Sequence, residues 1–416
     1  MKTKVLPTLT ELIEQDGLWQ QLRNVPSNEL LDRPVLNFRR DSDLELLEKE
    51  IRDKNVLITG AAGSIGSELA RQVAEREPRV LVLYERNETA LYYLELEVRK
   101  QFPDCDIVPV VGDILNKSKL NQVLSQNQIN LIYHAAAYKH VPMMEREPFE
   151  AIRNNVVATE VVAAAAIANH VEKCVYLSTD KAVNPCSIMG ASKRVGEMVL
   201  QAFAAKHTRF IIVRFGNVIG SNGSVIPLFK KQIGRGGPVT VTHPDATRYF
   251  MAISEAVQLV MTAGAIGKGG DILLLDMGDP VRIMDLANKL IESSGFVPGK
   301  DIEMEFIGLR PGEKLHEELY WRGENIVPTA NRKITRLQGN GFESDALLQG
   351  LNCLKLCARH NDRAGLLRIL KNLVREASFD GNGNRRAPAM SLHTTKSLLP
   401  TFKNNGSNGQ QSKVGS

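Results

Sequence analysis

Short apolar runs alternate with helix-like segments through the middle of the chain, and the alternation begins at a glycine-rich turn. The first unit reads "NVLIT", "GAAGSIG" and "SELARQVAERE", which is the pattern of a strand, a tight turn and a helix. The next strand and helix have the patterns "RVLVLYE" and "ETALYYLELEVRKQF". Parallel strands need crossover connections, and helices make those connections across both faces of a sheet. We therefore predict an α/β fold with a Rossmann-type doubly wound parallel sheet and a smaller, irregular substrate-binding region.

The glycine-rich turn has the spacing of a dinucleotide-binding site. Gly60 allows the chain to turn, Gly63 allows the backbone to approach a pyrophosphate, and Gly66 allows helix and strand to pack closely. The helix that starts near Ser64 and Ile65 directs its N-terminus to the same place, where backbone N–H groups attract anions. Because the turn lies between a predicted strand and a predicted helix, it indicates a site for NAD or NADP.

The end of the second strand bears on the choice between these two cofactors. Glu85 follows Gly66 by nineteen residues, and a carboxylate there accepts both ribose hydroxyl groups of NAD and repels a 2′-phosphate. Arg86 comes next, and an arginine nearby is how NADP is accommodated. We predict NAD and leave NADP open. Asp113 closes the third strand and either meets the adenine or caps the next helix. The other predicted cofactor contacts are Ile114, Ala135, Ala136 and Lys193.

Charge and cysteine content exclude several classes of protein. The net charge of +5 comes from the segment after Asp380, since 47 basic and 47 acidic residues lie up to and including that residue. Nucleic-acid-binding proteins concentrate positive charge on the folded surface, so nucleic acid is not an expected partner. The five cysteines are an odd number, and the first residues lack an apolar signal region, which indicates reduced thiols in the cytoplasm. Glu160 and two asparagines interrupt the most apolar run, "NVVATEVVAAAAIAN", which argues against a transmembrane helix.

One cysteine pair raises the question of a metal. Cys353, Cys357 and His360 share one helical face in "LNCLKLCARH", but a structural zinc ion takes four ligands and no fourth is evident. Leucines alternate with these residues, so we interpret them as buried or half-buried helix positions. We predict no metal site.

These patterns divide the chain into five parts. They are a lead-in at 1–50, a Rossmann NAD(P)-binding domain at 51–215, a substrate-binding region at 216–345, C-terminal helices at 346–380 and a disordered basic tail at 381–416. Within the substrate-binding region, "DILLLDMG" predicts a strand near 271–277 that returns to the sheet.

Six motifs along residues 52–325 resemble the polysaccharide-biosynthesis branch of the extended short-chain dehydrogenases, the UDP-N-acetylglucosamine 4,6-dehydratases. They are "GAAGSIGSELARQ", "AAAYKHVPMME", "STDKAVNPCSIMGASKR", "RFGNVIGSNGSVIPLF", "HPDATRYFMAISEAVQLV" and "LRPGEKLHEEL". The resemblance implies a tightly bound NAD that takes hydride from C4 of the sugar and returns it to C6 after water is lost across C5 and C6. The product would be a 4-keto-6-deoxy sugar nucleotide for polysaccharide or glycan synthesis.

The large members of this family have N-terminal membrane helices and a further domain. "LLDRPVLNF" resembles the linker that follows those helices, so the chain is similar to their soluble catalytic half. We predict a cytoplasmic protein, at the inner face of the membrane if partners hold it there. The nearly all small and apolar helix "NNVVATEVVAAAAIANH" suits a subunit contact, so we also predict a homo-oligomer.

The catalytic segment departs from the usual pattern of short-chain dehydrogenases, which have a tyrosine four residues before a lysine. Met189 stands at that position before Lys193, and a thioether cannot transfer a proton. Thr179 ends the strand in "YLSTD", so we expect its hydroxyl to contact the sugar oxygen while Lys193 stabilises the developing alkoxide through water and the cofactor ribose. The large family members also have methionine there, which implies a dehydratase that retains the C5 configuration.

The elimination of water needs a second acid and base. Asp180 and Lys181 resemble the family's pair, in which a neutral Lys181 removes the C5 proton and a protonated Asp180 gives a proton to the departing C6 oxygen. The alternative is an ordinary surface ion pair. The position after a parallel strand, where open sheets bind ligands, favours catalysis.

Several polar residues in the family motifs are predicted to hold the substrate, UDP-N-acetylglucosamine. Lys139, His140 and Glu145 are expected to meet the acetamido sugar, and Arg248 and Arg310 are expected to clamp the diphosphate with their planar guanidinium groups. The other predicted substrate residues are Asn155, Asn217 and Glu313.

Two other functions stay open from the sequence. A UDP-sugar C4-epimerase shares the cofactor and the first step but returns the hydride to C4. An NAD-binding scaffold that lost activity with its tyrosine is the alternative that is not an enzyme.

Overall fold

The computed structural model describes residues 41–204, 206–338 and 344–379. The predicted basic tail and most of the predicted lead-in lie outside the described residues.

The strands form one large sheet and three small ones. In chain order, they are β1 (Asn55–Thr59), β2 (Val80–Glu85), β3 (Ile107–Val111), β4 (Leu131–His134), β5 (Lys173–Leu177), β6 (Arg209–Arg214), β7 (Asn217–Val218), β8 (Val239–Val241), β9 (Thr247–Arg248), β10 (Phe250–Met251), β11 (Ile272–Leu275), β12 (Val281–Arg282), β13 (Met304–Phe306), β14 (Asn325–Pro328) and β15 (Ile334–Gln338).

The helices alternate with these strands. They are α1 (Asp41–Ile51), α2 (Ser64–Ala74), α3 (Glu88–Gln101), α4 (Lys117–Gln126), α5 (Val141–Arg146), α6 (Pro148–Ala151), α7 (Ala158–Ala168), α8 (Ile188–Ala202), α9 (Val225–Ile233), α10 (Ile253–Ile266), α11 (Ile283–Ser293), α12 (Ser344–His360) and α13 (Arg363–Leu373). A π-helical turn at Ile152–Val157 joins α6 to α7, and a 3-10 turn at Asp180–Ala182 follows β5.

The large sheet confirms the predicted Rossmann-type fold. Its order is β14, β15, β11, β6, β5, β4, β1, β2, β3. The strands from β11 to β3 are parallel, whereas β15 and β14 add an antiparallel edge that the alternation pattern did not predict. In the small sheets, β7 pairs with β10, β8 with β13 and β9 with β12.

Each central strand is buried on both faces. Val56 and Ile58 of β1 pack with the helix layer of α1, α2, α3 and α10, whereas Leu57 packs with α4 and α7 on the other face. Leu47 and Ile51 of α1 are fully buried, so this helix, which falls largely within the predicted lead-in, is part of the first layer. Burial on both faces explains why these strands are continuous apolar runs.

The stretch Pro148–Ala168 is long and apolar enough to span a membrane by composition, with a mean hydropathy of 1.3. In the structure 61% of it is buried, and its residues Val162, Ala163 and Ala166 contribute to the core beneath the sheet. A buried core helix passes the same test of length and composition, so the stretch is weak evidence for a membrane span.

Two further apolar clusters flank the sheet. One joins α12 and α13 to α8 through Leu351, Leu354 and Leu366, and Cys357 packs against it. The other is the core of the region after β6 and includes Phe229, Val241 and Leu290.

Candidate active site

The glycine-rich turn has the close contacts that a dinucleotide site requires. Gly60 has φ of +65°, and a Cβ there would lie 2.7 Å from Ala136 Cα. A Cβ on Gly66 would lie 2.1 Å from the carbonyl oxygen of Gly60. The first turn of α2 starts with the uncharged Ser64 and Ile65, and no side chain among the described residues caps its N-terminus. This N-terminus therefore fits the pyrophosphate of a dinucleotide.

Gly66→Ala is expected to destabilise the protein by about 1–3 kcal/mol, because the added methyl group overlaps backbone atoms that cannot move aside. Gly63→Ala is the matched variant, since its Cβ would meet only the Gly60 carbonyl oxygen, at 3.2 Å. We expect Gly66→Ala to lower the melting temperature of the cofactor-free protein more than Gly63→Ala does. Equal melting temperatures would contradict the close packing seen at Gly66.

Glu85 and Arg86 differ in how they face the turn. The Glu85 carboxylate accepts hydrogen bonds from the backbone N–H groups of Ala62, at 3.3 Å, and Asn87, at 3.0 Å. Arg86 stacks on the Tyr138 ring, with Cζ 4.8 Å from its centroid, and donates to the phenol oxygen. Glu85 thus lies against the glycine-rich turn, whereas Arg86 is engaged by Tyr138.

The other predicted cofactor residues follow β3 and β4 or lie in the turn itself. Asp113 caps its own loop, because its carboxylate accepts from Leu115 N at 2.8 Å, and Ile114 is buried. Ala135 and Ala136 follow β4 and approach Gly60. The Ser64 hydroxyl accepts a hydrogen bond of 2.9 Å from the backbone N–H of Asn222.

A buried polar chain runs from this turn to α8. The Thr159 hydroxyl donates to the Asn155 carbonyl at 2.8 Å, so it can only accept from His134 Nε2. His134 therefore carries its proton on Nε2, and its Nδ1 accepts from Thr59 Oγ1 at 2.7 Å. The Asn155 side chain donates to the Tyr138 carbonyl and to Ser192 Oγ. Burial lowers the pKa of His134 to about 3, so its ring is neutral.

Asn155 therefore does not present the sugar-binding amide that the sequence predicted. It is 1% exposed, and its side-chain oxygen accepts from Tyr138 N at 2.8 Å. Because both ends of the amide are used inside the protein, Asn155 instead links the π-helical turn to α8.

Met189 and Lys193 lie on the buried side of α8. Met189 is 2% exposed and belongs to the cluster that joins α8 to the C-terminal helices. Lys193 Nζ donates to the Leu177 carbonyl at 2.6 Å and lies 3.9 Å from the centroid of the Tyr176 ring. Burial lowers the pKa of Lys193 to about 7, although the charge of Glu197 acts in the opposite direction.

Thr179, Asp180 and Lys181 form one hydrogen-bonded group at the end of β5. Thr179 Oγ1 donates to Asp180 Oδ1 at 2.8 Å, and Lys181 Nζ donates to the same oxygen at 2.9 Å. Asp180 is fully buried, which excludes the alternative of a surface ion pair. The Thr179 hydroxyl is thus directed to Asp180. The predicted relay placed this hydroxyl on the sugar oxygen, with Lys193 acting through water and the cofactor ribose.

The ionisation of Lys181 differs from the prediction. Burial alone would lower its pKa, but the charges of Asp180 and Glu317 outweigh burial and raise the pKa. Lys181 is therefore an ammonium ion in this arrangement, and not the neutral amine that was expected. Asn217, which was predicted to contact the substrate, accepts from Lys181 Nζ at 2.9 Å.

The two arginines predicted to clamp a diphosphate occupy different environments. Arg248 is 9% exposed, and its terminal nitrogens donate to the backbone carbonyls of Thr247, Leu315 and Lys314. These bonds occupy its planar fork, so the structure does not present Arg248 as a phosphate clamp. Arg310 is exposed, with Nε 3.8 Å from Glu313 Oε1.

Lys139, His140 and Glu145 lie beyond β4. Partial burial lowers the pKa of Lys139, and the charge of Lys181 lowers it further. Lys139 therefore lies near the ion pair of Asp180 and Lys181. The His140 ring packs on Gly223. Glu145 Oε1 accepts from Ile188 N at 2.7 Å, so this oxygen caps α8 and is not directed to a sugar.

Two sets of residues were missed by sequence reasoning. Glu317, in "LHEEL", is 8% exposed and lies 3.7 Å from Lys181 Nζ. Arg214, at the end of β6, is fully buried between Glu197 and Glu324. For Arg214 the available signal was a charged residue inside the otherwise apolar segment "RFIIVRFGNVIG", whereas Glu317 lies among polar residues and its partners are distant in the chain.

Comparison with known proteins identifies the family. Residues 56–339 match the model of a family described as polysaccharide biosynthesis protein. The chain belongs to this family. It is 47% identical over 334 residues to the capsular polysaccharide biosynthesis protein CapD of Staphylococcus aureus, a match that covers 80% of this chain and 55% of that protein. The chain thus spans about half the length of this relative.

More distant relatives of this polysaccharide-biosynthesis chain have named activities. A UDP-N-acetylglucosamine 4,6-dehydratase (inverting) of Campylobacter jejuni is 34% identical over 270 residues, covering 64% of this chain and 76% of the relative. A UDP-glucose 4-epimerase of Rickettsia canadensis is also 34% identical, over 64% of this chain and 77% of the relative. The solved structure of Pen from Bacillus thuringiensis has 33% identity and a TM-score of 0.65, and covers 73% of this chain and 98% of that one.

Proposed function

We propose that the chain is a UDP-N-acetylglucosamine 4,6-dehydratase that uses tightly bound NAD and retains the configuration at C5. The observation that carries this proposal is the hydrogen bond of 2.9 Å from Lys181 Nζ to Oδ1 of the fully buried Asp180 at the carboxyl end of β5. Dehydration needs an acid and a base side by side, whereas an epimerase needs neither at C5 or C6. Retention at C5 is inferred from Met189.

The glycine-rich turn, the N-terminus of α2 and Glu85 would hold the cofactor. When bound, NAD would accept the C4 hydride of the sugar and return it to C6. The carboxylate of Glu85 lies within hydrogen-bonding distance of the turn and favours the free ribose hydroxyls of NAD.

Thr179 is the group best placed to pass on the proton of the C4 hydroxyl. Its own hydroxyl proton already points to Asp180 Oδ1, at 2.8 Å. As Thr179 receives the sugar proton it can release its own to Asp180, which makes Asp180 the neutral acid required for the next step. Lys193, buried near the same strand, would stabilise the developing charge at C4.

Elimination then uses the pair in its neutral form. An amine on Lys181 removes the C5 proton, and the carboxylic acid on Asp180 donates to the departing C6 hydroxyl, so that the C6–O bond breaks and water leaves. The products of this step are an ammonium ion and a carboxylate, which is the ion pair seen in the structure.

Incubation of the protein with UDP-N-acetylglucosamine and NAD tests the proposal. We expect mass spectrometry to show a sugar nucleotide that has lost one water molecule. An isomer of unchanged mass would support the epimerase, which the relative from Rickettsia makes the second candidate. If neither product forms, the result would support an inactive scaffold.

A further inference from the structure

Glu317 is held over the acid–base pair by Arg248. The Arg248 side chain donates to the carbonyls of Lys314 and Leu315, and Thr247 N donates to the Leu315 carbonyl at 3.0 Å. These bonds attach the segment that contains Glu317 to β9. The Glu317 side chain is only 4% exposed as a result.

The carboxylate of Glu317 lies between two cations. Its Oε1 is 3.7 Å from Lys181 Nζ and 3.8 Å from Arg248 Nε. Its Oε2 is buried and has no hydrogen-bond partner among the described residues, and the same is true of Asp180 Oδ2. A buried carboxylate oxygen without a donor is costly, because it has lost its hydrogen bonds to water and gained none in the protein.

The proposed elimination leaves one proton unexplained. Thr179 can supply Asp180 with the sugar proton, but Lys181 starts as an ammonium ion and must lose a proton before it can act as a base. Asp180 cannot take that proton as well, because it is already protonated by the proton that Thr179 passes on. A second acceptor within reach of Lys181 Nζ is needed.

We propose that Glu317 is a positioning residue that receives the resting proton of Lys181, so that Lys181 becomes the base that acts at C5. This inference rests on the proposed function. An Nζ–H bond of Lys181 breaks and an O–H bond forms on Glu317, which gives a neutral amine and a neutral acid. A shift of about 1 Å brings their separation of 3.7 Å to hydrogen-bond length.

The proton inventory then closes without solvent. Lys181 takes the C5 proton while Asp180 returns the former C4 hydroxyl proton to the leaving water. After hydride has reached C6, Lys181 gives its proton back to C5 and Glu317 returns the stored proton to Lys181. The pocket ends with the charges it had at the start.

Other charged and titratable groups also face this pair. Those that interact with Lys181 or Glu317 are Asp180, Arg248, Lys139 and Cys186. Arg248 balances the charge of Glu317 in the resting state. While Glu317 holds the proton, Arg248 lies beside a neutral Glu317 and a neutral Lys181, and its charge is no longer balanced by Glu317. This favours return of the proton to Lys181.

Glu317→Gln, Glu317→Asp and Glu318→Gln test this role. Glutamine keeps the size but accepts no proton, aspartate keeps the acid, and Glu318 is the neighbouring exposed carboxylate that pairs with Lys314. We expect Glu317→Gln to slow dehydration on the order of 10²-fold at neutral pH, because in this variant Lys181 can lose its proton only to solvent. The rate should recover as the pH rises and solvent removes that proton more readily. Glu317→Asp should be slowed less, and Glu318→Gln should match the wild type.

Amine labelling of Lys181 at a series of pH values provides a readout independent of activity. In Glu317→Gln the pH at which half of Lys181 is labelled should fall by about one unit or more, because the Glu317 charge is removed. The dehydration rate of this variant should increase with pH around that same midpoint. A midpoint equal to that of Glu318→Gln, or a uniform loss of rate at every pH, would overturn the inference. If the wild type forms no product from UDP-N-acetylglucosamine, the proposed function fails, whereas the labelling comparison still decides whether Glu317 controls Lys181.

Discussion

Lys181→Met is expected to lower the rate of dehydration by at least about 10³-fold, because no other amine among the described residues is hydrogen-bonded to Asp180. The same substitution should leave oxidation at C4 possible, since Thr179 and Asp180 keep their hydrogen bond. We therefore expect the reduced cofactor to accumulate when substrate is added, and its absorbance measures this. Reactions in D₂O should place deuterium at C5 with the wild type, because the Lys181 ammonium group exchanges its hydrogens with solvent before the reaction, and not with the variant.

Lys268→Met is the control for loss of a lysine, because Lys268 is exposed in the loop before β11. Lys181→Met also leaves the buried Asp180 and Glu317 without their shared cation, so its melting temperature must be measured beside its activity. A folded variant that still releases water at the wild-type rate would remove Lys181 from the mechanism. An epimerase would tolerate the change, since C4 epimerisation leaves the C5 hydrogen in place.

Arg214→Met is expected to destabilise the protein by about 3–5 kcal/mol, which is the usual cost of removing one partner of a buried charge pair. Arg214 donates to both oxygens of Glu197, at 2.8 and 2.7 Å, and to Glu324 at 2.8 Å. Without it two carboxylates remain buried. The free energy of unfolding, measured with denaturant, checks this. Arg52→Met, which breaks an exposed pair with Glu77, should cost less than about 1 kcal/mol.

The effect of Arg214 should depend on pH. Burial would raise the pKa of Glu197, but Arg214 and then Arg194 outweigh burial and lower it. A lowered pKa in the folded state contributes stability above the unfolded value of about 4.3, and that contribution is lost as the pH falls through the folded value. In Arg214→Met the effect of burial on the pKa of Glu197 is less opposed, so this carboxylate is protonated more readily in the folded variant. The difference in the free energy of unfolding between the wild type and the variant should therefore narrow on acidification. A difference that is constant with pH would show that Arg214 acts through packing alone.

Arg214 also matters for the site. Glu197 accepts a hydrogen bond of 2.6 Å from Ser178, the residue before Thr179. The buried ion pairs thus connect the end of β6 and α8 to the loop that carries the acid and base. A variant that weakens them should lose activity together with stability.

The fold was predictable because its signals are local. The alternation of strands and helices, and the glycines that permit close approach at Gly60 and Gly66, depend on neighbouring residues. The antiparallel pair β14 and β15 was not predicted, because its pairing with β11 joins segments far apart in the chain. Short, partly exposed strands such as β14 also have a weak apolar pattern.

The candidate site was predictable in part. The family motifs marked Thr179, Asp180 and Lys181, and the structure brings them together. Asn155 and Arg248 were predicted to hold the substrate, but each uses its polar groups on buried backbone atoms. A motif indicates that a polar residue belongs to the site, whereas its hydrogen-bond partners decide whether it can face a ligand.

The sequence by itself determined a doubly wound sheet, a glycine-rich turn between its first strand and helix, and the position of Thr179, Asp180 and Lys181 after β5, since each depends on residue type and short-range spacing. Only the tertiary structure decided the charge of Lys181. Burial would lower its pKa, but the charges of Asp180 and then of Glu317, a carboxylate that approaches from another part of the chain, raise it. Electrostatic energy depends on distance in space, which local sequence patterns do not contain.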